Sequence, residues 1–176
     1  MSCDITLGRK EACKTSVGGL KAVYFINYDG DFYNAATKTN DVITGLDAAV
    51  ASFKYELKGD NNTFEEANEN SRDNGTSFFT QTGALVIKVQ DSATQAELTL
   101  LSYGRPHVII EDHNGNFRLA GAKNGVEVSV STSTGGAMGD LNGYNLSFEG
   151  KEVNLSTFID SALMGAVDGF TVTEGA

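Results

Sequence analysis

The sequence predicts a mainly β protein: an antiparallel β-sandwich or barrel of hairpins, with one flanking α-helix at about residues 93–102 and a long protruding β-hairpin. Three observations carry that expectation. Asn-Gly dipeptides recur at Asn74-Gly75, Asn114-Gly115, Asn124-Gly125 and Asn142-Gly143, and three of them directly join segments that read as strands. Both residue types tolerate the positive φ of a type I′ turn, so Asn-Gly between alternating runs is a strong hairpin signal. The chain also has a single proline and no tryptophan.

At 176 residues the chain fits one domain that can bury a core without disulfides or metals. The expected division is an N-terminal arm over 1–20, the hairpin over 63–90 and a C-terminal segment over 156–176. Runs such as Ala84-Leu85-Val86-Ile87 are too short to span a membrane, and Met1 to Lys14 lacks an apolar signal region. Folding in a cytoplasm is the expectation, with no membrane binding by this chain. Cys3 and Cys13 then read as reduced thiols, because a metal half-site would need partners and only His107 and His113 exist.

The formal net charge is −10 and uneven. Arg9, Lys10, Lys14 and Lys21 make the first segment basic, whereas residues 124–176 hold seven acids against Lys151. Tight DNA binding through phosphate neutralisation is excluded by the lack of clustered cations. The charge serves solubility, or it lets a basic front end meet an acidic face on another copy.

Along the chain, Lys21 to Tyr28 is rich in β-formers and Asp29-Gly30-Asp31 closes it as a turn. Asn34 to Thr44 reads as loop, and Leu46 to Ala51 as either a short helix or the approach to a strand. Phe53 to Leu57 alternates, with Phe53, Tyr55 and Leu57 on one face. Thr63 to Ser71 and Thr76 to Gln90 make a hairpin turned by Arg72-Asp73-Asn74-Gly75, with Gly83 as a bend point. Ser92 to Gln95 has the Ser-x-x-Gln form of a capping box, and Ala96, Leu100 and Leu101 can cover one helix face before Gly104 and Pro106 end it. A meander follows: His107–Asp112 pairs with Asn116–Gly121 across Asn114-Gly115, and Val126–Ser131 returns across Asn124-Gly125. Ser131 to Asp140 is a loop and Tyr144 to Phe148 an alternating strand. Ser156 to Val167 reads as a short helix or an extended arm.

Catalytic chemistry is not expected. His113 flanks a turn, and the two histidines match no helical metal motif. Asp112, Asn114 and Asn116 have odd-position oxygens of a calcium loop, but the glycine is misplaced and the terminal glutamate is missing. Gly135-Gly136-Ala137-Met138-Gly139 lacks the spacing and lysine of a phosphate cradle. Adjacent acids such as Glu65-Glu66 point to opposite strand faces, no Ser or Cys has a nucleophile elbow, and the Asn-x-Ser/Thr sequons at Asn61, Asn74, Asn145 and Asn154 have no secretory route. The reading is a non-enzyme without cofactor or metal.

Three runs belong together: Thr63-Phe64-Glu65-Glu66, Ser71-Arg72-Asp73-Asn74-Gly75-Thr76 and Phe78-Phe79-Thr80-Gln81-Thr82. They carry a resemblance to the tail-tube proteins of tailed bacteriophages. It continues through the helix-to-hairpin block Leu100 to Gly121, with Gly104-Arg105 and the run Val108 to Asn116, and through Gly139 to Glu152. These blocks cover over half of the chain in order. The resemblance implies a β-sandwich or barrel with one flanking helix that assembles into stacked hexameric rings, the conduit for DNA ejection. Hairpins of neighbouring subunits would join into a β-lined channel, with Arg72, Asp73, Asn74 and Gly75 as the inter-subunit turn.

Glu65, Glu66 and Glu69 would then supply the lumen-facing acids, which repel phosphate and let DNA pass without tight binding. Alternation allows Glu65 and Glu69 on one side and Glu66 on the other, and leaves open which of them face inward. Arg9, Lys10 and Lys14 would be an inter-ring or inter-subunit arm. Expected partners are further copies of the chain and the tail terminator, neck or baseplate proteins, and the expected location is the virion tail, after assembly in the host bacterial cytoplasm. Alternatives are a head–tail connector, a capsid decoration protein, the inner tube of an injection system, or a monomeric β-sandwich binding module. The absence of tryptophan weighs against a carbohydrate module.

Overall fold

Two β-sheets of unequal size face each other in the computed structural model, which describes residue 5 and residues 7–175. In chain order the elements are β1 (Leu20–Ile26), α1 (Phe32–Ala35), β2 (Thr37–Thr39), β3 (Val42–Gly45), β4 (Val50–Glu56), β5 (Thr63–Ser71) and β6 (Thr76–Lys88). Then come α2 (Ser92–Tyr103), β7 (His107–Asp112), β8 (Phe117–Ala120), β9 (Glu127–Ser133), β10 (Gly143–Glu152), β11 (Thr157–Ile159) and β12 (Phe170–Glu174). The larger sheet runs β12-β4-β1-β7-β8-β11-β3-β2 and the smaller β5-β6-β10-β9.

The larger sheet has a core on each side at its centre. Val23, Phe25, Val108 and Ile110 face the smaller sheet, where Leu85, Leu146, Phe148 and Val128 meet them and Leu98 of α2 joins. Ala22, Tyr24, Ile26 and Ile109 point the other way, into a second core with Ile43, Leu119, Ile159 and Phe170. A strand buried on both faces reads as a continuous apolar run rather than an alternating one, which is how β1 and β7 are written. Because β3, β11 and β12 all reach the second core, the larger sheet curls around it.

The Asn-Gly turns differ from expectation in a consistent way. None of those asparagines has positive φ; the following glycine alone takes it, at Gly75 (63°), Gly115 (79°) and Gly125 (71°). They are therefore not type I′ turns, which need positive φ at both central residues. That signature falls instead on Asn40 and Asp41 (52° and 61°), which join β2 to β3 inside the stretch expected to be loop. Asn124-Gly125 closes no hairpin: it precedes β9, which pairs with β10 in the smaller sheet and not with β8. The same local backbone serves a hairpin and a crossover between sheets.

The expected C-terminal helix or arm is likewise replaced. Residues 157–174 supply β11, one 3₁₀ turn at Ser161–Leu163 and β12. β11 lies parallel to β3 and β12 parallel to β4, so the architecture is mixed rather than wholly antiparallel. The helix is capped one residue earlier than expected. Asp91 Oδ1 accepts from Thr94 N at 2.8 Å and Oδ2 from the Thr94 hydroxyl, so a carboxylate facing the helix dipole displaces the Ser92–Gln95 box. Leu98 is the buried residue of α2; Ala96 and Leu100 face outward.

Within the hairpin, β10 lies alongside β6 from Lys88 to Phe79, so the sheet absorbs most of its length and residues 69–78 extend past β10. Gly83 is not a bend. It pairs with Phe64 on one side and Phe148 on the other, and a Cβ there would stand 2.2 Å from the Phe148 ring. The missing side chain lets the Phe64 and Phe148 rings stack across the gap, with centroids 6.1 Å apart.

Candidate functional site: the open face of the smaller sheet

One face of the smaller sheet packs on the core and the other is open. Directly paired residues of an antiparallel sheet share a face, so its register places Glu65, Thr82, Glu149 and Glu127 in one row across all four strands. The next row is Thr63, Ala84, Ser147 and Ser129. Glu65, Glu127 and Glu149 are all exposed. Alternation along β5 adds Glu69 to the same face, where it accepts from the Thr80 hydroxyl. Among the described residues the cations at this surface are Lys151, 3.6 Å from Glu149, Lys88 at its end, and Arg105, which also lines it. A trough of about 850 Å³ runs over this surface, with Thr63, Glu65, Thr82, Glu127, Ser129 and Glu149 among its walls.

Glu66 departs from the expected set of three acids. Its side chain is 9% exposed and turned to the opposite face. Oε1 accepts from Gln81 Nε2 at 3.0 Å and from Ser156 N at 2.6 Å, while Oε2 accepts from Ser156 Oγ at 2.8 Å. Arg118 Nη1 lies 3.7 Å away. A carboxylate with this many partners anchors the segment before β11 to the hairpin and presents no charge to a channel. Glu65 and Glu69 remain on the open face, joined by Glu127 and Glu149, which in the sequence are two more acids of an acidic half. Only the strand register could have selected them.

The Glu66 contacts continue inward. Gln81 Oε1 accepts from Gly121 N at 2.8 Å, Gly121 O meets His107 Nδ1 at 2.6 Å, and His107 Nε2 lies 3.1 Å from Asp29 N. His107 is fully buried, stacked on Tyr28 and edge-on to Phe32. Each polar group is therefore satisfied by its neighbour, as burial requires. A second closed cluster lies on the larger sheet. Buried Glu111 takes Lys21 Nζ at 2.5 Å and the Tyr24 hydroxyl at 2.7 Å, and burial, then that hydrogen bond, push the Tyr24 hydroxyl well above the usual range. In neither cluster does a buried side-chain polar atom lack a partner among the described residues.

The other motifs resolve as turn chemistry. Asp112 Oδ1 accepts from Asn114 N and Asn116 N and Oδ2 from Asn116 Nδ2, so these oxygens hold the turn. Asp140 Oδ2 closes the Gly-rich loop by accepting from Gly136 N and Ala137 N, and the two bonds lower its carboxyl below the usual range. Among the described residues, no three His, Cys, Asp or Glu side chains gather as a metal site requires, and no helix is long and apolar enough to cross a membrane. The turn residues Arg72, Asp73, Asn74 and Gly75 are exposed, as are Arg9, Lys10 and Lys14, none of which joins an ion pair among the described residues. Cys13 is exposed and Cys3 lies outside the described residues.

Comparison with protein-family models, curated proteins and solved structures returned no match for this chain. The fold defines the class on its own: a two-sheet β-protein with one flanking helix.

Proposed function

We propose that this chain is a self-assembling virion protein, the subunit of a phage tail tube whose lumen is lined by the open face of the smaller sheet. The observation that carries the reading is the row Glu65–Thr82–Glu149–Glu127 across a four-stranded sheet whose outer strands, β5 and β9, have no hydrogen-bonded strand on their far sides among the described residues. Long unpaired edges invite pairing with another chain. Six copies of four strands give twenty-four strands. At about 4.8 Å spacing they close a barrel roughly 37 Å across, and strand tilt widens it. Inward side chains of about 5 Å leave a bore of roughly 27 Å, enough to pass a DNA duplex.

A wall of hydroxyls and carboxylates suits such passage. Duplex DNA carries a charge about every 1.7 Å, and a cationic wall would hold it by releasing counterions. Carboxylates repel it, and Ser and Thr hydroxyls keep the surface wet. Negative-stain microscopy of the purified chain tests the proposal. Hollow tubes or six-fold rings are the expected result, and a chain that stays monomeric at millimolar concentration, even with tail-initiating proteins added, overturns it.

A further inference from the structure

Away from the open face, an aromatic groove of about 320 Å³ lies between the C-terminal half of α2 and the end of β1. Tyr28, Phe53, Tyr55, Leu100 and Leu101 line it, with Glu97 at its rim. Tyr28 is 40%, Phe53 39% and Leu100 65% exposed, so no part of the described chain fills it. The N-terminal arm has the converse property. Ile5 and Leu7 are 94% and 87% exposed. Among the described residues, the arm is tied to the body by Val17, whose N–H donates to Asn114 Oδ1 at 2.9 Å and whose carbonyl accepts from Asn114 Nδ2 at 2.7 Å, and by Gly19, whose carbonyl accepts from His113 N at 3.4 Å.

Arm and groove sit at opposite ends of one strand. Asn114 belongs to the turn beside the Leu20 end of β1, and the groove lies at the Ile26 end. A seven-residue strand spans about 23 Å, and the ten residues from Val17 back to Leu7 reach about 33 Å when extended. Copies stacked along β1 would bring the arm of one to the groove of the next, a head-to-tail contact that propagates instead of closing. The charges agree. The arm carries Arg9, Lys10 and Lys14 against Glu11. The groove has Glu97 at its rim and exposed Asp29 and Asp31 in the chain just beyond Tyr28, against Arg105, whose guanidinium lies over the Tyr28 ring, and Lys123, whose carbonyl accepts from the Tyr28 hydroxyl.

We infer that Ile5 and Leu7 of one copy dock in the Tyr28–Phe53–Leu100 groove of a second copy and join successive layers of the assembly. This rests on the tube reading but has its own test. In a chain with Cys3 and Cys13 replaced by serine, L7C and L100C are made as separate variants, mixed, assembled and oxidised. A disulfide then forms only between copies, and the expected product is a cross-linked dimer from the mixture and from neither variant alone. Because Leu100 is exposed, L100E leaves the monomer folded, and it should raise the concentration needed for assembly at least about tenfold.

Assembled particles without the cross-link overturn the inference. So does a chain carrying both cysteines that closes the disulfide only on itself, or L100E assembling at the wild-type concentration; each leaves the tube reading standing. A wild-type chain that never assembles overturns both.

Discussion

Glu66 on the edge strand β5 accepts hydrogen bonds from both the backbone N–H and the hydroxyl of Ser156, ninety positions further along the chain. The contact fastens the segment entering β11 to the base of the hairpin. Replacing Glu66 by alanine strands Ser156 N and Gln81 Nε2 in a nearly buried site and should cost about 2–4 kcal/mol. Glu65→Ala and Glu69→Ala, on the open face, should stay within about 0.5 kcal/mol. Urea unfolding of the three variants separates them; equal losses would refute the distinction between the two faces.

Gly83 and Phe148 form a matched pair. Gly83→Ala drives a methyl group into the Phe148 ring and should destabilise by about 1–3 kcal/mol. Phe148→Leu in the same chain removes the ring edge, so the double variant should be more stable than the sum of the single losses by about 1 kcal/mol. Strict additivity in a double-mutant cycle would contradict the contact.

The α2 cap makes stability depend on pH in acid. The Thr94 hydroxyl, then the Thr94 N–H, hold the Asp91 carboxyl below its ordinary value. Its folded state is thus the weaker proton binder. The stabilisation is complete above the unfolded aspartate value of about 3.9 and disappears as pH falls through the lower folded value. Asp91→Asn keeps an acceptor that does not titrate, so it should flatten that part of the acid limb while altering neutral stability little. Thermal melts followed by circular dichroism between pH 2 and about 5 read the difference.

Charge reversal on the open face addresses function. Glu65→Lys, Glu127→Lys and Glu149→Lys together should leave the monomer folded, because each side chain is exposed. The assembled variant should retain duplex DNA with an affinity that falls steeply with salt, whereas the wild type should retain almost none. Equal retention by the two, measured by filter binding across a salt series, would count against a lumen on this face.

Some of this arrangement is readable from local sequence and some is not. The β5–β6 hairpin is legible because turn residues and alternating flanks are neighbours in the chain. The Asn40–Asp41 turn escapes because it has no glycine, although both residues adopt the left-handed backbone. Gly125 misleads because one local conformation fits a hairpin and a crossover equally. β11 and β12 are unreadable: their parallel partners, β3 and β4, lie more than a hundred residues earlier. The α2 face is legible only in part. Leu101 packs against the core as expected, but Leu98 and Leu100 are equally apolar, and only the direction in which the helix crosses the core selects Leu98. Of the acids, Glu65 and Glu69 were accessible to reasoning by alternation, whereas the burial of Glu66 depends on Ser156.

The late arrival of β12 has a consequence for synthesis. Phe170 is wholly buried in the second core, and its strand pairs with β4, formed from residues 50–56. While a ribosome makes the intervening stretch, at roughly 5–20 residues per second, the nascent larger sheet has an open flank at β4 and an incomplete apolar filling. Such non-local closure belongs to chains that fold in milliseconds to seconds. β12 therefore acts as a timer: a copy completes its larger sheet only after the whole stretch between β4 and β12 has been translated.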